Sequence, residues 1–318
     1  MICILDEIKD AKRIGISGHI KPDGDCIGST LALWHFIRNK RPDAYVKVFL
    51  EKPASCFDCL PGVSEIDSDF AETEKFDVFF VVDSVAEPDR IGASYPMFEK
   101  ATKTINIDHH ISNANGSGDV NQMVPDASSA SEVMFDLIGM ENMTAEIATC
   151  LYIGITHDTG IMQFSNTSSK TLRIVADLVE FEFDFPALID ITYHQKTYAQ
   201  NQILGRALLE SILFMDGKCI ASYIDRKTMQ FFGCTEKDMD GIVNQLRITT
   251  GVEVAIFIYE SGPNEKKVSL RSNGLVDVSK VATFFGGGGH VRASGCTMTG
   301  TYHDVINNLS REIEKQIK

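Results

Sequence analysis

The sequence has few prolines, a single tryptophan and no long apolar run, and each absence excludes a class of protein. Its 318 residues include 9 prolines and 24 glycines, which excludes collagen and low-complexity chains. No stretch of 18 apolar residues occurs, so we expect no transmembrane helix and no membrane partner. The first nine residues lack the apolar segment of a secretory signal. With 44% hydrophobic and 23% charged residues, the chain is expected to form about two globular domains.

Positive charge is also scarce. The chain has 30 lysine and arginine residues against 44 aspartate and glutamate residues, a net charge of −14. Such an excess of carboxylate repels a long phosphate backbone, so we expect no long duplex nucleic acid as a partner. A small anionic substrate held by metals or by a few local cations remains compatible with this charge, and we expect any oligonucleotide substrate to be short.

The eight cysteines form neither a disulfide pattern nor a zinc pattern. They are scattered along the chain, and several lie in apolar runs such as 148–153. Cys56 and Cys59 form one CxxC pair with no second pair nearby, whereas a structural zinc site needs four ligands. We therefore expect reduced thiols and a cytoplasmic location.

Short apolar runs alternate with helical patterns through residues 1–180. Strands are predicted at residues 13–17, 45–50, 77–82 and 104–107, and helices at 25–39, 128–138, 144–156 and 168–179. The run DVFFVV at 77–82 is typical of a strand covered on both faces. Strands that alternate with helices predict an α/β fold with a doubly wound parallel sheet.

The chain changes character near residue 185. Helices are predicted at 185–193 and 198–213 with no strand between them, and a second α/β pattern follows. Its predicted strands are 218–224, 252–259, 267–271 and 293–298, and its predicted helices are 276–285 and 302–318. We therefore expect a domain at 1–184, a helical linker at 185–209 and a smaller α/β domain at 210–318.

Aspartates and histidines follow the predicted strands of the first domain. The groups, in chain order, are His19, Asp23 and Asp25; Asp83; Asp108, His109 and His110; and, after a helix, His157 and Asp158. Because the carboxyl ends of parallel strands meet in one crevice, we expect these groups to converge.

Converging carboxylates repel one another and are costly to desolvate, and a bound cation removes that cost. Carboxylate and imidazole ligands without thiolate suit Mn²⁺ or Mg²⁺ better than structural zinc. The set is large enough for two ions, an arrangement that serves phosphoryl chemistry. Taken singly, each residue also has an ordinary interpretation; Asp25, for example, also fits a helix cap.

One string in the second half is unusual: four glycines at 286–289, followed by His290 and Arg292. Four glycines between a helix and a strand indicate either backbone N–H groups that approach an anion or a flexible hinge, and the two basic residues favour the anion. Upstream, a predicted strand ends with Arg271, Ser272 and Asn273. A guanidinium there suits bidentate phosphate contact, although a solvated strand end also accounts for it.

These motifs together resemble the DHH phosphoesterase family. The first is Gly18-His19-x-x-Pro22-Asp23-x-Asp25-x-x-Gly28-Ser29, and the second is Asp108-His109-His110. The glycine string through His290 resembles that of the associated DHHA1 domain. The resemblance covers residues 1–180 and 210–318 with the motifs in the family's order, and the short layout is most similar to the bacterial nano-RNase and pAp (3′-phosphoadenosine 5′-phosphate) phosphatases.

The resemblance implies a role for each residue. Two Mn²⁺ ions, or Mg²⁺, would be bound by His19, Asp23, Asp25, Asp83, His109 and Asp158. The catalytic group would be Asp83, which bridges the ions, His110, which contacts the phosphate or assists the leaving group, and Asp108, which orients its neighbours. The substrate would be held by Arg271, Ser272, Asn273, Gly287, Gly288, Gly289 and His290. Cys26 departs from the family pattern, which usually has Ala there.

The implied function is a Mn-dependent, two-metal phosphodiesterase and phosphatase that hydrolyses short oligoribonucleotides (nano-RNA) and pAp. The alternatives are a cyclic or linear dinucleotide phosphodiesterase with the same site, and a nucleotide-binding sensor that has lost catalysis. The sensor is disfavoured because none of the six expected ligands is missing. A homodimer remains open.

Overall fold

A computed structural model describes residues 1–317, and the chain divides into two compact units. The first is Met1–Gln195, and the second begins at Lys196. The two helical segments predicted as a linker therefore belong to different units. Each unit is built on one six-stranded sheet. Over the described residues, no helix combines the length and the apolar character that a membrane span requires.

The sheet of the first unit is entirely parallel. Its strands are β1 (Arg13–Ser17), β2 (Tyr45–Phe49), β3 (Ile66–Asp67), β4 (Val78–Val82), β5 (Lys103–Asp108) and β6 (Val120–Met123). Its helices are α1 (Ile4–Glu7), α2 (Gly24–Lys40), α3 (Pro88–Ile91), α4 (Tyr95–Lys100), α5 (Ala130–Ile138), α6 (Ala145–Asp158), α7 (Ser169–Val179) and α8 (Phe185–Ile189). A π-helical turn, Asp190–His194, continues α8.

The order of these strands is β3-β2-β1-β4-β5-β6. β1 pairs in parallel with β2 on one side and with β4 on the other. The chain therefore winds outward in both directions from the β1–β4 pair, and the carboxyl ends of these two strands form the topological switch point at which such sheets bind ligands. The predicted α/β class and doubly wound parallel sheet are confirmed.

Strand β4 is buried on both faces, as its continuous apolar run predicts. Val78, Phe80 and Val82 pack in the core formed with α2, α5 and α6. Phe79 and Val81 point to the opposite face and pack with residues of α3 and α4. Full burial of such side chains stabilises a fold by about 1.5–3 kcal/mol each. The residue that follows β4 is therefore held by the best-packed part of the sheet.

The second unit has a mixed sheet. Its strands are β7 (Ile212–Phe214), β8 (Cys219–Ile224), β9 (Val254–Gly262), β10 (Glu265–Ser272), β11 (Gly288–His290) and β12 (Ala293–Thr299), in the order β11-β12-β10-β9-β8-β7. Its helices are α9 (Tyr198–Leu209), α10 (Arg226–Phe232), α11 (Ile242–Arg247), α12 (Val278–Phe284) and α13 (Tyr302–Glu314). Within this second sheet, over the described residues, only β8 and β9 pair in parallel. Helices α12 and α13 cover one face, and α9, α10 and α11 cover the other.

The structure corrects the predicted helix at 198–213. Helix α9 ends at Leu209, and the residues from Ile212 form the edge strand β7. Leu209, Ile212 and Leu213 keep an apolar spacing that suits a helix, so periodicity alone did not separate the two elements. The sequence also missed the short edge strands β3 and β6, which carry no continuous apolar run, and the short helices α3, α4, α10 and α11. Lys318, the last residue of the predicted C-terminal helix, lies outside the described residues.

Glycines bring helices α2 and α6 into close contact. A Cβ on Gly28 would lie 2.4 Å from the carbonyl oxygen of Cys150 and 3.0 Å from the backbone nitrogen of Gly154. A Cβ on Gly154 would lie 1.9 Å from the hydroxyl oxygen of Ser131 and 2.7 Å from a carboxylate oxygen of Asp25. Helix α2 therefore meets the backbone of α6 directly at Gly28, and Gly154 leaves room for the side chains of Ser131 and Asp25.

We predict that Gly28→Ala lowers the free energy of unfolding of the first unit by about 1–3 kcal/mol, because the added methyl group overpacks this contact. Trp34, the only tryptophan, is buried on α2, so its fluorescence during urea unfolding reports on this unit. The matched control is Gly205→Ala on α9, where an added Cβ meets no atom within 4 Å. The control should leave the Trp34 transition in place, and an equally unaffected transition in Gly28→Ala would contradict the tight contact.

Candidate metal centre

Asp83 lies at the centre of the converging side chains. It directly follows β4 with a φ of +59°, a left-handed conformation that aspartate and asparagine tolerate better than most residues, and its side chain is 3% exposed. Its Oδ2 atom lies 3.4 Å from Nε2 of His19, and its Oδ1 atom lies 3.4 Å from Nε2 of His109. The two oxygens of one carboxylate thus face two different imidazoles, the arrangement expected of a carboxylate shared by two cations.

His19 and Asp23 lie on one side of Asp83. His19 follows β1, and its Nδ1 lies 2.8 Å from the carbonyl oxygen of Ile20. If Nδ1 donates to that oxygen, the lone pair of Nε2 is free for a cation. Asp23 Oδ1 lies 3.6 Å from this Nε2 and also accepts the N–H groups of residues 25 and 26. Asp23 is therefore the N-cap of α2, and Asp25 is not.

His109, Asp25 and Asp158 lie on the other side. Nε2 of His109 is 3.8 Å from Asp25 Oδ2 and 3.5 Å from Asp158 Oδ2. Asp25 is buried, and its carboxylate accepts the N–H groups of Ala130 at 2.6 Å and Ser131 at 2.9 Å at the start of α5. Asp158 is the last residue of α6, where the helix dipole opposes negative charge. Asp158 therefore depends on a positive partner more than Asp25 does.

In the absence of a bound cation, protons on the histidines and carboxylates offset the negative charge of this cluster. Burial opposes the charge on His19, but Asp23 and Asp83 outweigh burial and raise its pKa to about 11. Burial likewise opposes the charge on His109, and its carboxylate neighbours, led by Asp83, raise its pKa to about 10. Burial and the charge of Asp83 raise the pKa of Asp158 to about 7, and burial with the same neighbour raises the pKa of Asp25 well above its usual value.

Asp108 and His110 form a separate pair beside Asp83. Asp108 is the fully buried last residue of β5, and its Oδ1 atom lies 2.7 Å from Nδ1 of His110. This hydrogen bond raises the pKa of His110, whose side chain is 41% exposed. The ring also lies 3.7 Å from Asp83 Oδ1. His110 is therefore a solvent-accessible imidazole next to the cluster, and Asp108 both holds it in place and favours its protonated form.

The residues fit divalent cations. Oδ1 of Asp83 is buried and has no hydrogen-bond partner among the described residues, although a buried carboxylate oxygen normally has one. Each side of Asp83 offers one imidazole and at least one further carboxylate, a donor set that suits Mn²⁺ and Mg²⁺. The structure thus places a cluster of acidic and imidazole side chains that could hold metal ions at the switch point of the sheet.

Other polar groups support the carboxylates, and the sequence analysis missed them. Asn113 Nδ2 donates to Asp108 Oδ2 at 2.8 Å and to the side-chain oxygen of buried Asn106 at 2.9 Å. Asn106 in turn donates to the carbonyl oxygens of Val81 and Ser84, on either side of Asp83. This network ties the end of β4 to the end of β5. The sequence signal for this network was the presence of two polar residues, Asn106 within the apolar strand β5 and Asn113 shortly after it.

The helix start that binds Asp25 did have a sequence signal. Ser129 and Glu132 have the spacing of a capping motif, and the Ser129 side chain accepts the Glu132 N–H at 3.0 Å. The bonds from this helix start to Asp25 span 105 residues or more, so local sequence contains no trace of them.

In the second unit, the register brings Arg271 and His290 to the same end of the sheet. Arg271 on β10 lies opposite Ala293 on β12, which lies opposite His290 on β11. Directly opposed residues share a face, and two strand spacings separate these two residues by about 9–10 Å. Arg271 donates Nε to Asn244 and Nη1 to the carbonyl of Leu270. These bonds orient the guanidinium, and its Nη2 atom takes part in neither of them.

Ser272 and Asn273 are less available than Arg271 for contact with a substrate. The hydroxyl of Ser272 is buried without a partner among residues 1–317. Asn273 donates to the carbonyl oxygens of Arg247 and Val252 and accepts from the guanidinium of Arg247 at 2.7 Å. Substrate contacts by Ser272 and Asn273 stay predictions, and the structure gives Asn273 a role in shaping the end of β10.

Three of the four glycines at 286–289 have structural explanations. Gly286 has a φ of +75°, and a Cβ on Gly287 or Gly289 would lie 2.2 Å or 2.6 Å from a carbonyl oxygen of β12. Only Gly288 has open space beside it and no positive φ. The string is therefore neither a free hinge nor a wholly open loop, because its second half is the edge strand β11.

Comparison with known proteins extends the likeness over nearly the whole chain. Residues 13–155 match the N-terminal domain of the DHH family, and residues 216–318 match the DHHA1 domain. The bifunctional oligoribonuclease and PAP phosphatase NrnA of Thermus thermophilus is 30% identical over 95% of this chain and 90% of its own length. The Bacillus subtilis protein of the same name is 28% identical over 88% of this chain and 87% of its own length.

A solved structure shows the same architecture. The crystal structure of an exopolyphosphatase-related protein from Bacteroides fragilis has a TM-score of 0.88 and 26% sequence identity to this chain. The alignment covers 98% of this chain and 94% of that one. The resemblance drawn from the strand-end motifs is confirmed: this chain belongs to the DHH family of phosphoesterases, and its second unit contains a DHHA1 domain.

Proposed function

We propose that this protein is a two-metal phosphoesterase that hydrolyses short oligoribonucleotides and pAp. The observation that carries the proposal is Asp83, whose two oxygens face separate histidines and whose buried Oδ1 atom lacks a hydrogen-bond partner among the described residues. The relatives from T. thermophilus and B. subtilis are named for both activities and align with 95% and 88% of this chain.

The proposed cations are two Mn²⁺ ions, with Mg²⁺ as the alternative. Cations bound here would supply positive charge to a transferring phosphoryl group and lower the pKa of a coordinated water molecule. His19 and Asp23 would hold one ion and Asp25, His109 and Asp158 the other, with one oxygen of Asp83 directed to each.

His110 is proposed to give a proton to the leaving oxygen. Its Nδ1 is engaged by Asp108, so the opposite ring nitrogen is the one free to meet a substrate. Because the hydrogen bond to Asp108 raises the pKa of His110 and so favours the protonated ring, this imidazole is suited to donate that proton. Asp108 acts through His110 by fixing the ring and stabilising its charge.

The substrate class follows from the distribution of charge. Arg271 and His290 are proposed to bind a phosphate of the substrate that is not being cleaved, together with the open backbone beside Gly288. Further phosphates of a longer strand would meet a protein with a net charge of −14. Repulsion of this kind is screened only beyond about 8 Å at physiological salt, so short substrates are favoured.

We predict that Mn²⁺ binding to the metal-free protein releases protons and strengthens as pH rises through neutrality. His19 and His109 hold protons up to pKa values of about 11 and about 10, and these protons must leave before the rings can bind a cation. Calorimetric titrations in two buffers of equal pH and different ionisation enthalpy give the number released, which should be about one per ion or more.

The control for that titration is His194→Ala, which removes an exposed histidine outside the cluster and should release the same number of protons. Identical heats in the two buffers, or affinity that falls as pH rises, would contradict the assigned ligands.

We predict that kcat/KM is highest for substrates of about two to five nucleotides and for pAp, and that it falls for longer strands. The test compares pAp, linear and cyclic dinucleotides, a pentanucleotide and a 24-mer at two salt concentrations with saturating Mn²⁺. A rate that climbs with length, most steeply at low salt, would instead indicate a single-strand exonuclease. Exclusive turnover of dinucleotides would indicate a dedicated dinucleotide phosphodiesterase.

Asp83→Asn is the matched inactive variant for this panel. Asparagine has nearly the same shape and tolerates the left-handed backbone at this position, so the fold should persist while the shared charge is lost. Turnover of every substrate should disappear, whereas Asp43→Asn, at an exposed position, should leave it unchanged. Wild-type turnover in Asp83→Asn would refute the two-metal site, and no turnover by the wild-type protein would favour a sensor.

We predict that Asp108→Asn lowers kcat and shifts the alkaline limb of the pH profile to lower pH. The Asp108 carboxylate raises the pKa of His110, so its removal lets His110 lose its proton at a lower pH. Activity that needs the protonated ring is then lost earlier as pH rises. Profiles from about pH 6 to 10 would show the shift. His110→Ala should abolish this limb, and an unmoved limb in Asp108→Asn would exclude His110 as the acid.

A further inference from the structure

The side chain of Cys26 lies beside His19 and Asp83 of the metal centre. It occupies the first turn of α2 and is fully buried. The Sγ atom of Cys26, a ring nitrogen of His19 and a carboxylate oxygen of Asp83 all lie within 4.8 Å of one another. Among the cysteines of residues 1–317, Cys26 alone belongs to such a group.

Packing accounts for only part of this placement. Cys26 contributes to the core of the first unit, as Cys150 does. Its sulfur, however, lies 3.9 Å from the carbonyl oxygen of His19, the far limit of a thiol hydrogen bond. A Cβ on Gly18 would lie 2.3 Å from that sulfur, so the glycine leaves room for it at the end of β1. The thiol is thus placed against the His19 side of the cluster.

The neighbouring Asp83 provides a second observation at this place. It is 2% exposed, its Oδ2 atom faces Nε2 of His19 at 3.4 Å, and its carboxylate, whose Oδ1 atom faces His109, accepts no hydrogen bond in the described part of the chain. A tetrahedral zinc ion with bonds of about 2.0–2.3 Å holds its ligand atoms about 3.3–3.8 Å apart. The three atoms therefore need to approach by about an ångström to share such an ion.

Donor chemistry decides which ion engages the sulfur. Mn²⁺ and Mg²⁺ prefer oxygen and imidazole ligands and leave a buried thiol protonated. Zn²⁺, Co²⁺ and Cd²⁺ bind thiolate strongly. When one of these ions binds, the S–H bond breaks, a metal–sulfur bond forms, and the proton passes to solvent.

We propose that Cys26 is a conditional metal ligand that joins His19 and Asp83 around a thiophilic divalent cation and stays uncoordinated when Mn²⁺ or Mg²⁺ is bound. The inference rests on the metal centre of the proposed function. It predicts that the His19 side of the centre holds Zn²⁺ in preference to Mn²⁺ because of one side chain.

The test is a Co²⁺ titration of the metal-free, full-length protein, followed by absorption spectroscopy. Thiolate bound to Co²⁺ produces a ligand-to-metal charge-transfer band in the near ultraviolet, apart from the visible d–d bands. We expect this band in the wild-type protein and its loss in Cys26→Ala and Cys26→Ser, with the d–d bands retained. Cys150→Ala is the matched control, since it removes a buried cysteine outside the cluster and should keep the band.

Competition with a chromophoric chelator measures the Zn²⁺ and Mn²⁺ affinities of the wild-type protein and the variants. Zn²⁺ affinity should fall by about tenfold or more in Cys26→Ala, and Mn²⁺ affinity should change by less than about threefold. A charge-transfer band that survives in both Cys26 variants, or equal losses for Zn²⁺ and Mn²⁺, would overturn the proposal.

The failure of this inference can be told apart from the failure of the proposed function. Wild-type protein that binds Co²⁺ with d–d bands and no charge-transfer band keeps its metal centre and excludes Cys26 as a ligand. Protein that binds no Co²⁺ in any variant overturns the metal centre itself, and this inference with it.

Discussion

Repulsion among the carboxylates at the switch point is the constraint on which the first domain depends. Asp25, Asp83 and Asp158 all approach one imidazole nitrogen to within 3.8 Å, in a place where water screens little of their charge. The backbone stabilises some of this charge, since the start of α5 donates to Asp25 and the N–H groups of residues 109 and 110 donate to Asp108. Asp83 and Asp158 receive no such donors in the described structure, so the remaining negative charge is concentrated where a cation is needed.

The sequence was sufficient to predict that most of these side chains meet, because the apolar runs that end before His19, Asp83 and His109 are strands whose order along the chain sends their ends to one edge. His157 was expected to converge with them, but its Nε2 atom instead lies 3.0 Å from the hydroxyl oxygen of Thr192. The sequence was insufficient for the role of each carboxylate. Asp23 and Asp25 both stand at the start of α2, and only the backbone geometry shows that Asp23 caps the helix while Asp25 turns inward. The partners of Asp25 are set by packing between distant segments, which leaves no local pattern.

The second domain shows a different limit. Its glycine string predicts an anion site or a flexible hinge, whereas residues 288–290 form an edge strand paired with β12. Glycine is needed at 287 and 289 because the backbone of β12 passes too close for a Cβ. Sequence composition does not separate a glycine that makes room for the protein's own backbone from one that makes room for a ligand, and Gly288 alone fits the second description.

The contact of α2 with α6 through Gly28 and Gly154 also bears on how this domain changes in evolution. Most core positions drift by exchanging one apolar side chain for another of similar volume. Neither glycine has that freedom, because any side chain at 28 or 154 meets backbone or the Asp25 carboxylate. The two helices can therefore separate only if Asp25 and Asp158 separate with them. A side chain at either glycine would therefore disturb the placement of these two carboxylates as well as the packing of the helices.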